Sequence, residues 1–334
     1  MDMRKKIVDN VHQAETFLIL THYRPDGDAI SSSLAMFHFL VGLGKNPEDI
    51  DVYIPYISND LSFIDKNNIR KENCILDNYD LIIVVDCSDY SRIEGNDLLE
   101  GVFPQQCMII DHHEFSGIPI EADYLLSDTS ASSCTCIIYR EFSQYMCKQN
   151  SNDFFRCIAI GIMSDTMGLT LNVNQECKDI LNECEKLGID IPAIRTQLKN
   201  IDARTQTLAK LAIERLVLDK EIGCTYILQK DLVPEESSLK TVNHKSIIQQ
   251  ILNSGSCKTL ILLIENDNHE IKGSMRTTES NIDLNAICAD MVERKIFIQG
   301  GGHSNSAGFK MAISDTEMET LNRIFKLLIT AILG

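Results

Sequence analysis

The stretch Leu18–Phe37, LILTHYRPDGDAISSSLAMF, joins a short apolar run to a segment with helical spacing. The turn between them carries one histidine and two aspartates, His22, Asp26 and Asp28. An apolar strand followed by a polar turn and a helix is the repeating unit of α/β folds, whose ligands bind beyond the carboxyl ends of the strands. The stretch therefore predicts a strand–helix unit with a functional site at its turn.

Two further apolar runs repeat this arrangement. Leu81–Val85 (LIIVV) and Met108–Ile110 (MII) have the continuous apolar character of strands that are buried on both faces. Helical spacing is found over Ala29–Leu43, Cys134–Lys148 and Phe154–Met163. This alternation predicts an α/β fold in the N-terminal half, with a mainly parallel sheet flanked by helices.

The pattern changes in the second half of the chain. Residues 194–218 have helical spacing and predict a helical linker, whereas residues 260–276 predict a hairpin, with strands that meet across NDNH. We therefore predict domains at 1–195 and 217–334, joined by a helical linker at 196–216. The second domain is predicted to be a smaller α+β domain, with the active-site cleft between the two.

The amino-acid composition limits the kinds of ligand and the location that we expect for this protein. The chain has 334 residues, is 44% apolar and carries a formal net charge of −17, which argues against a broad electrostatic grip on long duplex nucleic acid. Its twelve cysteines include no Cys-x-x-Cys pair, which predicts reduced thiols in a cytoplasmic protein. No apolar run approaches the ~20 residues that span a bilayer, so we expect no membrane partner.

Acidic and histidine side chains follow three predicted strands of the first half, and an aspartate lies at the end of a fourth, helix-like element. The stretch that carries His22, Asp26 and Asp28 is joined by VVDCSD, by IIDHH and by GIMSDTMG, which contain Asp86, Asp89, Asp111, His112, His113 and Asp165. Carboxylates gathered in one pocket stay ionised only if cations neutralise them. Carboxylates mixed with imidazoles suit manganese, iron or zinc better than calcium. Two metals that share a bridging carboxylate explain this number of ligands.

Each residue also has a structural interpretation. A single aspartate after a strand is usually a helix cap or a turn residue, and we favour that interpretation for Asp89. Asp26-Gly27 is a common turn pair, and a lone histidine is more often structural than a ligand. Repetition at four separate elements, including Asp-His-His directly after an apolar strand, favours a metal site.

These motifs resemble a known family. HYRPDGDAISSS, VVDCSD, DHH and GIMSDT resemble, in this order, the four motifs of the DHH phosphoesterase superfamily. The tail GSMRTTESNIDLNAICADM…GGGHSNSAG resembles the DHH-associated C-terminal domain. The resemblance covers nearly the whole chain. The two-domain length is similar to the NrnA type, the bifunctional oligoribonucleases and 3′-phosphoadenosine-5′-phosphate (pAp) phosphatases.

The resemblance implies two divalent metal ions, with manganese preferred. The implied ligands of one metal are His22, Asp26 and Asp86, and those of the other are Asp28, Asp86, His112 and Asp165. Asp86 would bridge the metals and be essential for catalysis, while Asp111 would orient the imidazoles. His113 would face the scissile phosphate as an acid or as a charge stabiliser. Gly27 would allow the tight turn that aims Asp26 and Asp28 at adjacent cations.

The second domain carries the candidate substrate site. A glycine-rich loop such as QGGGH lets backbone N–H groups approach a phosphate, and an arginine can donate two hydrogen bonds to one. Alone, such a glycine run is often a turn and such an arginine often a surface residue. The resemblance implies that the terminal nucleotide or its phosphate is held by Arg276, Gly301, Gly302 and His303.

Three departures from the usual motifs of the family occur; one is GHSNSAG in the C-terminal motif, where small alanines are usual. Ser31 stands where a glycine is usual, and Met167 stands in the fourth motif where Asp-Thr-Gly is common. The loop that follows Asp165 is therefore expected to differ.

The resemblance implies hydrolysis of very short oligonucleotides (nanoRNA, dinucleotides) to mononucleotides, with pAp open as a second substrate. Two alternatives stay open: a phosphodiesterase for cyclic dinucleotides or their linear products in second-messenger turnover, and a non-catalytic nucleotide-binding module. The acidic composition suits short single-stranded oligonucleotides or small nucleotides held by two metals, and suits long duplexes poorly. A homodimer is also open.

Overall fold

The fold was analysed in a computed structural model. It describes residues 3–23, 25–54, 57, 61, 63–64, 67–70, 79–93, 106–115, 119–147, 151–199, 203–232, 244–266 and 270–333; Arg24 is therefore outside the described residues. The chain divides into two compact units, unit 1 (Met1–Asn200) and unit 2 (Ile201–Gly334).

Unit 1 is built on a six-stranded sheet in the order β3-β2-β1-β4-β5-β6. Its strands are β1 (Phe17–Leu20), β2 (Ile50–Tyr53), β3 (Ile69–Arg70), β4 (Leu81–Val85), β5 (Gln106–Asp111) and β6 (Tyr124–Ser127). Every pairing between these strands is parallel. The predicted α/β class with a parallel sheet is therefore confirmed.

The described residues of unit 1 form six α-helices. They are α1 (Met3–Gln13), α2 (Gly27–Gly42), α3 (Cys134–Phe142), α4 (Asn152–Asp165), α5 (Gln175–Lys186) and α6 (Ile191–Lys199). Side chains from α1 to α6 pack with alternate residues of the central strands, such as Phe17 and Ile83, in the larger core. The intervening residues, such as Leu18 and Ile82, form a separate core on the other face. Because β1 and β4 are buried on both faces, their sequences are continuous apolar runs.

The helix predicted over Cys134–Lys148 is shorter in the structure. Helix α3 ends at Phe142, and a 3-10 turn over Ser143–Tyr145 follows it. Strand β6 was not predicted because its residues alternate between intermediate and exposed positions at the edge of the sheet. Apolar spacing alone does not report where tertiary contacts end a helix.

Unit 2 is also built on a six-stranded sheet, in the order β11-β12-β10-β9-β8-β7. Its strands are β7 (Val217–Asp219), β8 (Ile222–Ile227), β9 (Thr259–Asn266), β10 (Glu270–Thr277), β11 (Gln299–His303) and β12 (Ser306–Ala312). The pairing of β8 with β9 is parallel, and the other pairings are antiparallel. Strands β9 and β10 form the predicted hairpin.

The helices of unit 2 cover the sheet unequally. They are α7 (Ala203–Glu214), α8 (His244–Asn253), α9 (Leu284–Glu293) and α10 (Met318–Leu333). Apolar residues of α9 and α10 pack with one face of the sheet, which we call the core face. Residues of α7 and α8 pack with Leu260, Leu262 and Ile264 of β9 on the opposite face. This mixed sheet with packed helices confirms the predicted α+β second domain.

The range 194–218 is not one continuous helix in the structure. It contains the end of α6, then α7, and then the start of strand β7, while residues 200–202 lie outside the described part. Leu208, Ala209 and Ala212 of α7 are buried in a core of unit 2. The domain boundaries themselves stay predictions.

The prediction of a glycine-rich loop at QGGGH is wrong. These residues form strand β11, which pairs with β12 so that Gly302 lies opposite Ala307. Gly302 has φ +150°, and a Cβ there would lie 2.3 Å from the carbonyl oxygen of Ser306. Glycine is required at this position because a side chain would meet backbone of the neighbouring strand.

The structure also bears on the cysteines and on membrane crossing. The described cysteines are free thiols, and most of them are buried, in agreement with the expectation of reduced thiols. Within the described residues, no helix is long and apolar enough to cross a bilayer.

Gly273 of β10 provides a test of packing in unit 2. A Cβ on Gly273 would lie 2.0 Å from the ring of Phe309, which is stacked on Phe297 at 4.0 Å. Gly273→Ala should therefore lower the free energy of unfolding by about 1–3 kcal/mol through overpacking. Gly308→Ala is the matched control, because its Cβ would only reach ordinary contact with the Gly273 carbonyl at 3.5 Å. Equal stability of the two variants in denaturant titrations would contradict this packing.

Candidate metal centre

Three neighbouring strands of unit 1 end at the same edge of the sheet. Strands β1, β4 and β5 are adjacent, and their carboxyl ends are followed by or include His22, Asp86 and Asp111. The N–H of Asp86 donates to the carbonyl oxygen of Ile110 at 2.8 Å, which extends the ladder to the site. Parallel pairing thus brings together side chains that are far apart in sequence.

The first group of candidate ligands is His22, Asp26 and Asp86. One ligand atom of each lies within 4.8 Å of the others. Nδ1 of His22 is 2.8 Å from the Tyr23 carbonyl oxygen, so Nε2 is the nitrogen that faces Asp86, at 3.4 Å from Oδ2. Asp26 caps α2, where Oδ1 accepts hydrogen bonds from the N–H groups of Asp28 and Ala29. The cap orients the carboxyl group of Asp26 at the start of α2.

The second group is Asp28, His112 and Asp165, which also lie within 4.8 Å of one another. Nε2 of His112 is 3.3 Å from Oδ2 of Asp165 and 4.0 Å from Oδ2 of Asp28. Nδ1 of His112 is 3.2 Å from the Ala131 carbonyl oxygen, which orients the ring with Nε2 toward the carboxylates.

Asp28 is held by the N-terminus of α3. Its Oδ2 accepts from the N–H of Cys134 at 2.7 Å, and its Oδ1 accepts from the hydroxyl of Thr135 at 2.8 Å. The N–H groups at a helix N-terminus favour negative charge. Helix α3 therefore fixes the carboxyl group of Asp28 in a fully buried position.

Asp86 lies between the two groups. Its Oδ2 faces Nε2 of His22, and its Oδ1 lies 3.4 Å from Nε2 of His112. Asp86 has φ 57°, a left-handed conformation that is uncommon outside glycine, asparagine and aspartate. Such backbone conformations cluster at functional sites. The position is that expected of a bridging carboxylate.

Asp111 contacts His113. Its Oδ1 is 2.8 Å from Nδ1 of His113 and accepts from the His113 backbone N–H at 3.1 Å. With Nδ1 engaged by Asp111, Nε2 of His113 is the ring nitrogen that points away from Asp111, and the side chain is 23% exposed. The pair forms a third group with Asp86.

Within the cluster, the pKa values of Asp28 and His112 are raised, whereas the pKa of Asp86 is lowered. Burial raises the pKa of Asp28 well above its ordinary value, and the charges of Asp86 and Asp165 raise it further. Burial alone would lower the pKa of His112, but Asp86 and Asp165 beside it raise that pKa well above the usual range. Burial would raise the pKa of Asp86, yet His113 and His112 hold it well below its ordinary value. The raised pKa values of Asp28 and His112 favour their protonated forms, and the lowered pKa of Asp86 favours its carboxylate.

Two glycines let α2, α3 and α4 approach this closely. A Cβ on Gly161 of α4 would lie 2.5 Å from Oδ1 of Asp28 and 2.4 Å from Oγ1 of Thr135. A Cβ on Gly27 would lie 2.3 Å from Oγ of Ser164. The reason that we predicted for Gly27 is therefore wrong: it is the first residue of α2, its φ is not positive, and its role is close packing.

The loop after Asp165 begins with the turn that ends helix α4. Helix α4 ends at Asp165, and the N–H of Gly168 bonds to the carbonyl oxygen of Met163 at 2.8 Å. Met167 has φ 50° in this helix-ending turn, where glycine is the usual residue. Another departure from the usual motifs, Ser31, is fully buried in α2.

Arg92 belongs to the surroundings of the site and was not identified from the sequence. Its carbonyl oxygen accepts from the Tyr23 N–H, and Ile93 forms a bridge with His22. Burial lowers the pKa of the Arg92 guanidinium, but Cys87, Asp86 and Asp111 more than offset this, so the pKa is raised. The only signal in the sequence is an arginine six residues after Asp86.

Asp89, four residues N-terminal to Ile93, directly precedes the 3-10 turn Tyr90–Arg92.

The candidate substrate residues lie on strands β10 and β11 of unit 2, on either side of β12. Arg276 of β10 and His303 of β11 are both opposite Ser306 of β12, so the two side chains share one face of the sheet. The N–H of Gly302 donates to Oδ1 of Asn285 at 3.0 Å and is thus already engaged. Gly301 lies opposite Gly308 in the next row of the same face.

The residues of unit 1 fit divalent metal ions. Oδ1 of Asp86 and Oδ2 of Asp111 are buried, and neither forms a hydrogen bond within the described residues. A buried carboxylate oxygen without a partner costs about 1–3 kcal/mol or more, which a cation would offset. Carboxylates mixed with imidazole nitrogens suit manganese, iron and zinc. Both three-residue groups could therefore hold a metal ion.

A parallel sheet with clustered carboxylates and imidazoles at its strand ends defines an α/β protein with a candidate metal centre. Residues 16–162 match the DHH family, N-terminal domain. This match confirms the predicted resemblance and, with it, the predicted enzyme class, a metal-dependent phosphoesterase.

Relatives cover almost the whole chain. The chain is 23% identical over 330 residues to the bifunctional oligoribonuclease and PAP phosphatase NrnA of Mycoplasma genitalium, covering 95% of this chain and 96% of the relative. It is 22% identical over 329 residues to the probable bifunctional oligoribonuclease and PAP phosphatase NrnA of Streptococcus mutans serotype c, covering 96% and 99%. The crystal structure of an exopolyphosphatase-related protein from Bacteroides fragilis has the same fold, with a TM-score of 0.76, 22% identity, and coverage of 98% and 95%.

Metal binding should depend on pH. The pKa values of Asp28 and His112 are raised, so both groups hold protons to higher pH, and a metal must displace them. The affinity for Mn²⁺ should therefore increase from about pH 6 to about pH 8, with protons released on binding. Calorimetric titrations in two buffers of different ionisation enthalpy measure both quantities. An affinity that does not change with pH would contradict the protonation of these two groups.

Gly161→Ala tests the packing that supports Asp28. Alanine normally stabilises a helix by about 1 kcal/mol over glycine, but here overpacking should cost about 1–3 kcal/mol and displace Asp28. We expect Mn²⁺ affinity to fall about 10–100-fold, as for other losses of support around a metal ligand. Gly42→Ala is the control, because its Cβ would meet only the flexible end of Met146, at 2.8 Å. Identical Mn²⁺ affinity in both variants would show that Gly161 does not position Asp28.

Proposed function

We propose that this chain hydrolyses very short oligonucleotides to mononucleotides, with pAp as a second substrate, using two divalent metal ions. The relatives' names are the support for this substrate class, and the two adjoining ligand groups around Asp86 are the support for two metals. Manganese is the proposed metal because the donors combine carboxylates with imidazoles. The proposed location of the enzyme is the cytoplasm.

The proposed metal ligands divide around Asp86. His22 and Asp26 would hold one metal, Asp28, His112 and Asp165 the other, and Asp86 both. When bound, the metals supply Lewis acidity and a nucleophilic water near neutral pH. The low pKa of Asp86 keeps this carboxylate ionised for the task.

His113 is proposed to act on the substrate. Asp111 accepts a hydrogen bond from Nδ1 of His113, which fixes the tautomer and the direction of the ring. With Nδ1–H held by Asp111, His113 would have to be the imidazolium for Nε2 to carry the proton that the leaving alkoxide needs, or to stabilise charge on the phosphoryl group. Asp111 thus orients His113 and does not itself touch the substrate.

In unit 2, Arg276, Gly301, Gly302 and His303 are proposed to hold the terminal nucleotide. Arg276 and His303 are two strands apart on the same face, about 10 Å across the sheet, which is a span that suits one phosphate with its sugar. The engaged N–H of Gly302 makes Arg276 and His303 the principal donors in this proposal.

A substrate panel tests the proposed function. The purified chain with Mn²⁺ is offered dinucleotides, longer single strands, pAp, cyclic dinucleotides, pyrophosphate and a long RNA duplex. We expect the highest kcat/KM with dinucleotides to short oligomers, turnover of pAp, and weak activity on the duplex because of the negative net charge. Fastest turnover of cyclic dinucleotides, or binding without turnover of any substrate, would replace the proposal with one of the two alternatives.

Asp86→Asn should abolish turnover and weaken the binding of both metals, because it removes a charged ligand from each. Asp80→Asn is the matched control at the other end of β4, where Asp80 accepts hydrogen bonds from the N–H groups of Glu15 and Thr16 at 2.8 and 3.0 Å. The measurements are the number of bound Mn²⁺ ions and kcat on a dinucleotide. Normal turnover by Asp86→Asn at saturating Mn²⁺ would refute the two-metal assignment.

A further inference from the structure

One half of the sheet of unit 2 presents a polar face that neither core includes. On the core face, alternate residues of β10 and β12, such as Met275 and Phe309, are buried with α9 and α10. On the opposite face, α7 and α8 pack with β9, but the residues of β10 and β12 belong to neither core. This face of β10, β12 and β11 is therefore a distinct polar surface.

The register of these three strands arranges the surface in rows. Residues directly opposite in antiparallel strands share a face, with Cβ atoms about 4.5–5.5 Å apart. The first row is His303, Ser306 and Arg276; the second is Gly301, Gly308 and Ser274; and the third is Gln299, Lys310 and Lys272. We call these three rows the cationic trough.

The middle row has small side chains, and the outer rows carry positive charge. The middle row consists of two glycines and a serine, so only small side chains lie between Arg276 on one side and the pair Lys272 and Lys310 on the other. Lys272 and Lys310 are directly opposite each other and both are partly exposed. Like charges in opposite positions destabilise a sheet, and an anion bound between the two lysines would offset their repulsion. The chain has 48 acidic and 31 basic residues, so two opposed lysines are not a consequence of a basic composition.

Charged neighbours limit where an anion would sit. Glu270 continues the same face of β10 beyond Lys272, opposite Ala312, and makes that end of the trough negative. The strand neighbours of the lysine pair on either side are Ile264 of β9 and Gln299 of β11, which carry no charge. An anion at the lysine pair would therefore lie on the side of the small residues, in line with Arg276.

The distance between the charged rows sets the kind of ligand. Lys272 and Arg276 are four residues apart on one strand, which corresponds to about 14 Å. This is longer than one nucleotide step of an extended strand. If one phosphate of a ligand lies at Arg276, the phosphate of the next nucleotide does not reach the lysine pair. A ligand that reaches both rows must therefore carry a further anionic group beyond that next phosphate.

We propose that Lys272 and Lys310 form a second phosphate site, which binds the phosphodiester of a single-stranded oligonucleotide longer than a dinucleotide. The proposal rests on the proposed function, since Arg276 and His303 would hold the nucleotide at the other end of the trough. The lysine pair makes the enzyme discriminate by length: a tetranucleotide reaches it, whereas a dinucleotide and pAp do not.

The double variant Lys272→Gln/Lys310→Gln tests this site. Loss of one charged phosphate contact should raise KM for a tetranucleotide about tenfold relative to KM for a dinucleotide. The slope of log KM for the tetranucleotide against log salt should become less steep by about 0.7. Lys258→Gln is the control: it removes one positive charge from unit 2, half the change of the double variant, at a lysine that pairs with Glu221 and Glu279. Lys272→Arg/Lys310→Arg keeps the charge and should restore the wild-type ratio.

A binding measurement separates this proposal from the proposed function. In an Asp86→Asn background, fluorescence anisotropy of a labelled tetranucleotide should show weaker binding when the two lysines are replaced by glutamine. Thermal unfolding of each variant establishes that it is folded. If the wild type cleaves no oligonucleotide, the proposed function fails, while the anisotropy result still decides the phosphate site.

Three outcomes would overturn the phosphate site. One is an equal change in KM for dinucleotide and tetranucleotide, another is an unchanged salt slope. The third is weaker binding of linear inorganic polyphosphate with unchanged binding of the tetranucleotide, which would assign the trough to a different polyanion.

Discussion

Burial of several carboxyl groups at one edge of a parallel sheet is the constraint on which unit 1 depends. Asp28 and Asp86 are almost completely buried, and His112 lies among them. Such a cluster is compatible with folding only if protons, imidazoles or metal ions offset its negative charge. Helix packing also supports the cluster of carboxyl groups. The N-terminus of α3 holds Asp28, and Gly161 leaves the space that Asp28 occupies.

The two units place opposite charges on six-stranded sheets of different topology. Unit 1 gathers acidic groups at the ends of parallel strands, where the backbone turns away and side chains converge. Unit 2 arranges cationic side chains in rows across antiparallel strands, where the spacing is set by the sheet itself. A metal centre needs convergence of several ligands on a point, whereas an extended anion is matched by charges repeated along a surface. The topology of each sheet suits its proposed ligand.

Some local features were predicted with the wrong cause or the wrong conformation. Gly27 was expected to permit a tight turn, but it is needed because Ser164 of another helix lies against it. QGGGH was expected to form a loop, because glycine-rich segments usually do, but pairing with β12 makes it a strand. Arg92 had no motif signal strong enough to separate it from a surface arginine, and only its contacts with Tyr23 and its burial bring it to the site.

The sequence by itself determined the α/β class of unit 1, the β9–β10 hairpin and the DHH resemblance, because apolar periodicity and motif order are local properties of the chain. It also singled out the residues that form the clusters around Asp86, since clustered acids after apolar strands have few structural explanations. Only the tertiary structure decided which nitrogen of each histidine faces the carboxylates, how α3 holds Asp28, and that Lys272 lies opposite Lys310. These facts depend on helix packing and strand register, which are set by contacts between residues that are distant in sequence.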